Sequence, residues 1–297
     1  MSLKERLPWW IRILAKIVLS RLPLQYRFWQ RSHLFVHGLM DEPDYAYRVI
    51  TAHMHRLDRH SLEGQVVLEL GPGNGLFTAV IACALGARRT YLVDAGAFAG
   101  EDVAPYRTCA TYLREMGLQA PTLDDCESVS DVLRACSALY LTRGVEDMRE
   151  IPTASVDWIF SQAVLEHLRL GSFDAIVGEM RRMLSSSGMT THQVDLKDHL
   201  GGALNNLRFS NRVWESRFMA NSGFYTNRLR LSQIVNAFRE AGFDVHTADV
   251  SRWTQLPTPR RKLARPFREL SDDELLVRQF DLVTRPLEGD VGELAEP

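Results

Sequence analysis

Two short stretches of this chain carry residue types suited to chemistry. In the first, Glu69 stands just before Gly71-Pro72-Gly73-Asn74-Gly75. Glycines at alternate positions let the backbone approach a ligand closely and leave amide hydrogens available at the start of a following helix. A dinucleotide fingerprint needs its third glycine at position 76, which is Leu76, and no P-loop lysine follows the turn. Nicotinamide dinucleotides and ATP are therefore disfavoured. In the second stretch, Thr191-His192-Gln193-Val194-Asp195-Leu196-Lys197-Asp198-His199, the groups able to act as general bases are His192, Asp195 and His199. Their spacing could also suit a divalent cation, but no further acidic cluster lies close by and no metal site is predicted.

The elements that must position these groups follow from hydrophobic patterning. Val66–Leu70 is a continuous apolar run, the mark of a strand covered on both faces in a parallel sheet. A helix-like run 76–85 follows the glycine turn, Gly86-Ala87 ends it, and a second strand over 89–94 closes on Asp94, completing one βαβ unit. Helices are predicted at 43–62, 105–116, 164–168 and 173–184, and strands at 138–143, 156–161 and 188–194. Alternation over this length predicts an α/β, doubly wound, mostly parallel sheet, with ligand chemistry at the carboxyl ends of its strands. Gln279–Thr284 reads as a closing edge strand.

Taken together, Leu68-Glu69-Leu70-Gly71-Pro72-Gly73-Asn74-Gly75, the acid Asp94 and Ser161-Gln162-Ala163-Val164-Leu165-Glu166-His167 resemble class I S-adenosylmethionine-dependent methyltransferases. The motifs span about 66–196, under half of the chain. The resemblance implies a seven-stranded sheet whose last strand runs antiparallel, with S-adenosyl-L-methionine as cofactor. It also implies roles: Glu69, Gly71, Gly73 and Gly75 around the methionine portion and Asp94 on the ribose hydroxyls. Asp147, beside Glu146, would approach the adenine amine, and Ser161 and Gln162 would lie at the edge where the sulfonium meets its acceptor. Glu166 and His167 would stabilise the fold beside the site.

Composition narrows the class further. The 297 residues are 45% hydrophobic and 24% charged with net charge −2, which describes a soluble globular protein and offers no global basic field for nucleic acid. Charge is segregated, however. Residues 1–31 hold seven cations against one anion, and 204–268 hold twelve against four. Trp9, Trp10, Ile13, Leu14, Ile17 and Val18 lie on one stripe of a predicted helix over 9–20, too short and charged to span a bilayer. It reads as a helix packed on the main domain, or as a basic interfacial helix in peripheral contact with anionic lipid. The four cysteines match neither a zinc motif nor a disulfide framework, which predicts a cytoplasmic setting. His37, His53, His55 and His60 receive no chemical role.

The predicted organisation is an N-terminal helical extension (1–62), a cofactor-binding core (63–200), an inserted acceptor-binding region or lid (201–270) and a closing strand with tail (271–297). The lid mixes Arg208, Phe209, Asn211, Arg212, Trp214, Phe218, Phe224, Tyr225, Asn227, Arg228 and Arg230, planar cations and rings suited to sugars, rings or an anionic handle. The expected reaction is O-methylation of a polar small molecule, such as a sugar unit or natural product, with a His/Asp base. N-methylation of a small molecule, or a non-catalytic membrane-associated binding module, is the alternative.

Overall fold

A computed structural model describes residues 42–287. The predicted 9–20 helix, and with it the lipid contact, lies outside the described residues.

Seven strands form one sheet in the order β3-β2-β1-β4-β5-β7-β6. They are β1 (Val66–Leu70), β2 (Arg89–Val93), β3 (Ala138–Leu141), β4 (Val156–Gln162), β5 (Leu184–Asp195), β6 (Phe243–Arg252) and β7 (Val277–Pro286). Pairs from β3 through β5 are parallel, whereas β7 runs antiparallel to both β5 and β6. This is the α/β architecture and the antiparallel seventh strand that the motifs implied.

Helices cover both faces because the strands are apolar on both. On one face α1 (Pro43–His55), α2 (Phe77–Ala84), α3 (Ala104–Glu115) and α4 (Val129–Ala135) enclose Val67, Leu92, Trp158 and Phe160. On the other, α5 (Val145–Glu150), α6 (Phe173–Met183) and, later in the chain, Leu231–Glu240 enclose Leu68, Ile159, Val194 and Leu282. Each fully buried side chain of this kind contributes about 1.5–3 kcal/mol. Two short helices of the 201–230 stretch, α7 (Asn211–Trp214) and α8 (Arg217–Ala220), have a core of their own around Trp214, Phe224 and Tyr225.

Several boundaries differ from the sequence reading. The Gln279–Thr284 run lies inside β7, which is interior; the edge strand is β6. β6 alternates only at its start, where buried Phe243 and partly buried Val245 flank exposed Asp244, and the register shifts after Ala248; charges on an edge strand prevent further pairing. With α9 (Leu231–Glu240), β6 belongs to the sheet, so the 201–270 stretch is not one insertion. Its two flanks lie outside the sheet and pack with α10 (Arg265–Arg268) and α11 (Asp272–Leu275). The 164–168 run makes only a 3-10 turn, Leu165–His167, and α1 stops at His55, after which Asp58 turns left-handed at φ 52°.

Candidate active site

The parallel register places the end of β1 beside the end of β2, with Leu70 opposite Val93. The glycine turn and Asp94 are neighbours for that reason. Gly71 and Gly73 have φ of +73° and +69°. A Cβ on Gly71 would lie 2.6 and 2.8 Å from the methyl carbons of Val164, whereas one on Gly73 would meet nothing within 4 Å. Gly71 is therefore required by conformation and by close approach to the loop after β4, Gly73 by conformation beside open space. Gly75 is buried next to Leu76, the N-cap of α2.

The Asp94 carboxylate accepts from the Gly73 N–H at 3.0 Å and from the Ala95 N–H at 2.7 Å. Glu69 is 2% exposed. Burial is the main force that pushes its carboxyl up to about 8; the Asp94 charge adds to this and Thr78 opposes it. Glu69 therefore holds a proton at neutral pH, and its Oε2 has no hydrogen-bond partner. A buried polar atom without a partner, beside two left-handed glycines and a carboxylate, suits a polar ligand that brings its own donors and acceptors.

Asp147 departs from the adenine assignment. It accepts from the Arg143 backbone N–H at 2.8 Å and from Arg143 Nε at 2.7 Å. Burial alone would raise this carboxyl, but the Arg143 hydrogen bonds and charge outweigh it and hold it below the usual range. Its oxygens shape the loop after β3.

At the β4–β5 edge the strand alternation separates the expected residues. Ser161 and His192 are opposite in register and both face α9: Ser161 Oγ lies 2.7 Å from His192 Nδ1, and the ring packs 5.4 Å from that of Phe238. His192 is wholly buried, and burial followed by nearby His53 lowers it to about 3. It is a core residue of the α9 face and presents no base at the carboxyl edge. Gln162 points to the opposite face, where its amide is engaged by His53 and Gln193 at 3.0 Å each. One lone pair of its oxygen and one N–H are committed to this row. The chain then reverses through Ala163 at φ 53°, whose N–H donates to Gln193 O.

Beyond this reversal the loop after β4 meets the end of β5. The Asp195 N–H donates to Glu166 Oε1 at 3.3 Å, and the Asp195 carboxylate accepts from the Lys197 N–H and pairs with its ammonium at 3.1 Å. Glu166 is buried, which raises it to about 8, and the Asp195 charge adds to the effect. His167 Nδ1 donates to the Tyr225 carbonyl at 2.9 Å, so its Nε2 is the acceptor nitrogen, 3.0 Å from His199 Nε2. The rings lie within 11° of parallel. Of the three expected bases, Asp195 and His199 thus stand at the carboxyl edge with Glu166 and His167, and His192 does not. Among the described residues no group of three or more His, Cys, Asp or Glu side chains is arranged to hold a metal ion.

The lid docks on this loop through buried Asn227, whose amide donates to Leu165 O at 2.7 Å and Leu168 O at 3.2 Å, while its own N–H donates to Glu166 O. Two of the lid arginines are internal struts. Arg228, at φ 66°, donates to Phe209 O and Asn211 Oδ1, each at 2.8 Å, and lies over the rings of Trp214 and Phe267. Arg230 donates to Leu196 O and Val277 O at 3.3 and 2.6 Å. Arg212 and Arg217 are exposed. The residue that sequence reasoning missed is His53, because its partners lie 109 and 138 residues away.

No family model matches this chain, and no curated protein does. Among solved structures, it is similar to Haemonchus contortus phosphoethanolamine N-methyltransferase 2 in complex with S-adenosyl-L-methionine, at 14% identity and a TM-score of 0.45. That match covers 80% of this chain and 52% of the Haemonchus chain, so this chain spans about half the length of that structure. An arsenic(III) S-adenosylmethionine methyltransferase from Chlamydomonas reinhardtii matches at 17% identity and a TM-score of 0.44, covering 78% of this chain and 66% of that one. A SAM-dependent methyltransferase from Archaeoglobus fulgidus matches at 9% identity and a TM-score of 0.45, covering 80% and 93%. All three scores lie below 0.5, and the chemistry of the site therefore has to be argued from its own residues.

Proposed function

We propose that this chain is an S-adenosylmethionine-dependent methyltransferase acting on a polar small molecule, with O-methylation favoured over N-methylation. The observation that carries the reading is the group at the β1–β2 edge: two left-handed glycines, an orphaned buried carboxyl oxygen on Glu69, and Asp94 one strand over. Glu69 and the turn would hold the methionine portion, and Asp94 the ribose diol, to which two carboxylate oxygens are matched. When bound, the cofactor supplies an electrophilic methyl group on a sulfonium. The protein's task is then positioning and exclusion of water.

Favouring O-methylation is the pair His167–His199. Because Tyr225 O takes the His167 Nδ1 proton, His199 donates to His167 through Nε2, which places an oriented imidazole pair at the carboxyl edge where an acceptor hydroxyl would lose its proton. Asp195 orients Lys197 beside it, and the docked lid covers the loop after β4. Calorimetric titration with S-adenosylmethionine, S-adenosylhomocysteine and NAD tests the assignment. The sulfur nucleosides bind and NAD does not; absence of heat with both nucleosides removes the enzyme reading.

A further inference from the structure

The polar row between α1 and the sheet has a direction. Trp158 Nε1 can only donate, and it donates to Thr191 Oγ1 at 3.0 Å. Thr191 is wholly buried, and among the described residues the one other atom bonded to its hydroxyl is His53 Nδ1, also at 3.0 Å. The hydroxyl proton therefore goes to His53 Nδ1, since a buried donor without an acceptor costs about 1–3 kcal/mol. His53 is then the neutral tautomer with its proton on Nε2, in keeping with a buried imidazole lowered to about 3 by desolvation and by Arg56.

From there the direction propagates. His53 Nε2–H donates to Gln162 Oε1, and Gln162 Nε2–H donates to Gln193 Oε1, each at 3.0 Å. Each amide oxygen accepts one hydrogen bond from the row. The hydrogens left over are the second one on Gln162 Nε2 and both on Gln193 Nε2, which have no other partner among the described residues. Gln162 ends β4, lies opposite Gln193 in the register and is partly exposed, next to the Ala163 reversal at the carboxyl edge.

We propose that the three remaining N–H hydrogens of Gln162 and Gln193 form a subsite that binds a carboxylate or carbonyl oxygen of the methyl acceptor, and that His53 is the positioning residue that sets its polarity. Naming the ligand as the methyl acceptor rests on the methyltransferase reading; the donor polarity does not.

The test is nitrogen-15 NMR on the full chain, with acetate and acetamide as oxygen probes and tetramethylammonium as control. The expected result is a neutral His53 protonated on Nε2 at pH 7, with the Gln162 and Gln193 side-chain NH2 signals moving with acetate or acetamide and not with tetramethylammonium. Thr191→Val removes the hydroxyl that sets the tautomer and weakens the probe response about tenfold, the scale of one hydrogen bond, whereas Thr191→Ser retains it. A His53 protonated on Nδ1, or amide signals indifferent to both oxygen probes, overturns the proposal. If the amides respond but S-adenosylhomocysteine does not bind, the methyltransferase reading falls and the subsite stands; the converse removes the subsite alone.

Discussion

At the β1–β2 edge, Glu69, Gly71, Gly73 and Asp94 come from a single βαβ unit, and the groups on offer are backbone amides and two carboxyls. At the β4–β5 edge, each polar side chain depends on an element far away in the chain: Gln162 on His53 of α1, Glu166 on Asp195 of β5, His167 on Tyr225 of the lid. The first arrangement is set by local conformation and parallel register, so it tolerates little change in backbone. The second is set by tertiary docking, so its parts can be loosened without unmaking the first. That division suits an enzyme in which one ligand is common and the other particular.

The largest effect should separate two glycines of the same turn. Gly71→Ala combines a left-handed alanine, about 1–3 kcal/mol, with overlap on Val164, about 1–3 kcal/mol more. Gly73→Ala carries only the conformational cost of about 1–3 kcal/mol. Urea unfolding of the two variants measures the difference, and equal losses would contradict the tight contact between turn and loop.

Next is Asp94→Ala, which should weaken S-adenosylhomocysteine binding by roughly 1.5–3 kcal/mol, the scale of hydrogen bonds to a charged group. Calorimetry reads this directly, and unchanged affinity excludes Asp94 from the ribose. On the other side of the comparison, Asn227→Ala leaves the Leu165 and Leu168 carbonyls unmatched and should cost about 1–2 kcal/mol. Hydrogen exchange should rise in the lid while nucleoside affinity is kept. A parallel fall in affinity would mean that the two regions act as one unit.

The two edges also share a pH slope. Folded Glu69 and Glu166 hold their protons to about 8 instead of the ordinary 4.5, so folding takes up protons in that window and stability falls as pH rises through it. His53 and His192, lowered from 6.5 to about 3, are neutral when folded and charged when unfolded, so their contribution is lost as pH falls below 6.5. Of these four groups only the carboxyls act between about pH 6.5 and 8, where stability should decline. Glu69→Gln should flatten that decline. Melting temperatures across this range check it, and a variant as steep as the parent would return the proton to another group.

Much of the fold was legible because its signals are local. Val66–Leu70 is apolar at four of five positions, and the glycine turn and Asp94 follow within one unit. β6 was obscured by the register shift after Ala248, whereas α9 carries Ile234, Val235 and Phe238 at helical spacing and was subsumed in the basic 201–270 stretch. In the site, His192 looked like a base because it sits near the end of β5, yet a strand turns successive side chains to opposite faces, and its turn was toward Phe238. Arg228 and Arg230 looked like ligand-binding cations, but burial committed them to carbonyls within the lid and sheet.

From the residues in order came the layer pattern, the turn that demands glycine and the acid that closes β2, since strand apolarity and left-handed backbone are properties of a few consecutive positions. Folding settled which imidazole reaches the carboxyl edge, which arginines are struts and which way the His53 row runs. Those outcomes depend on partners from 17 to 138 residues apart, and a hydrogen bond acquires its direction only when both ends, and whatever lies behind each, are in place.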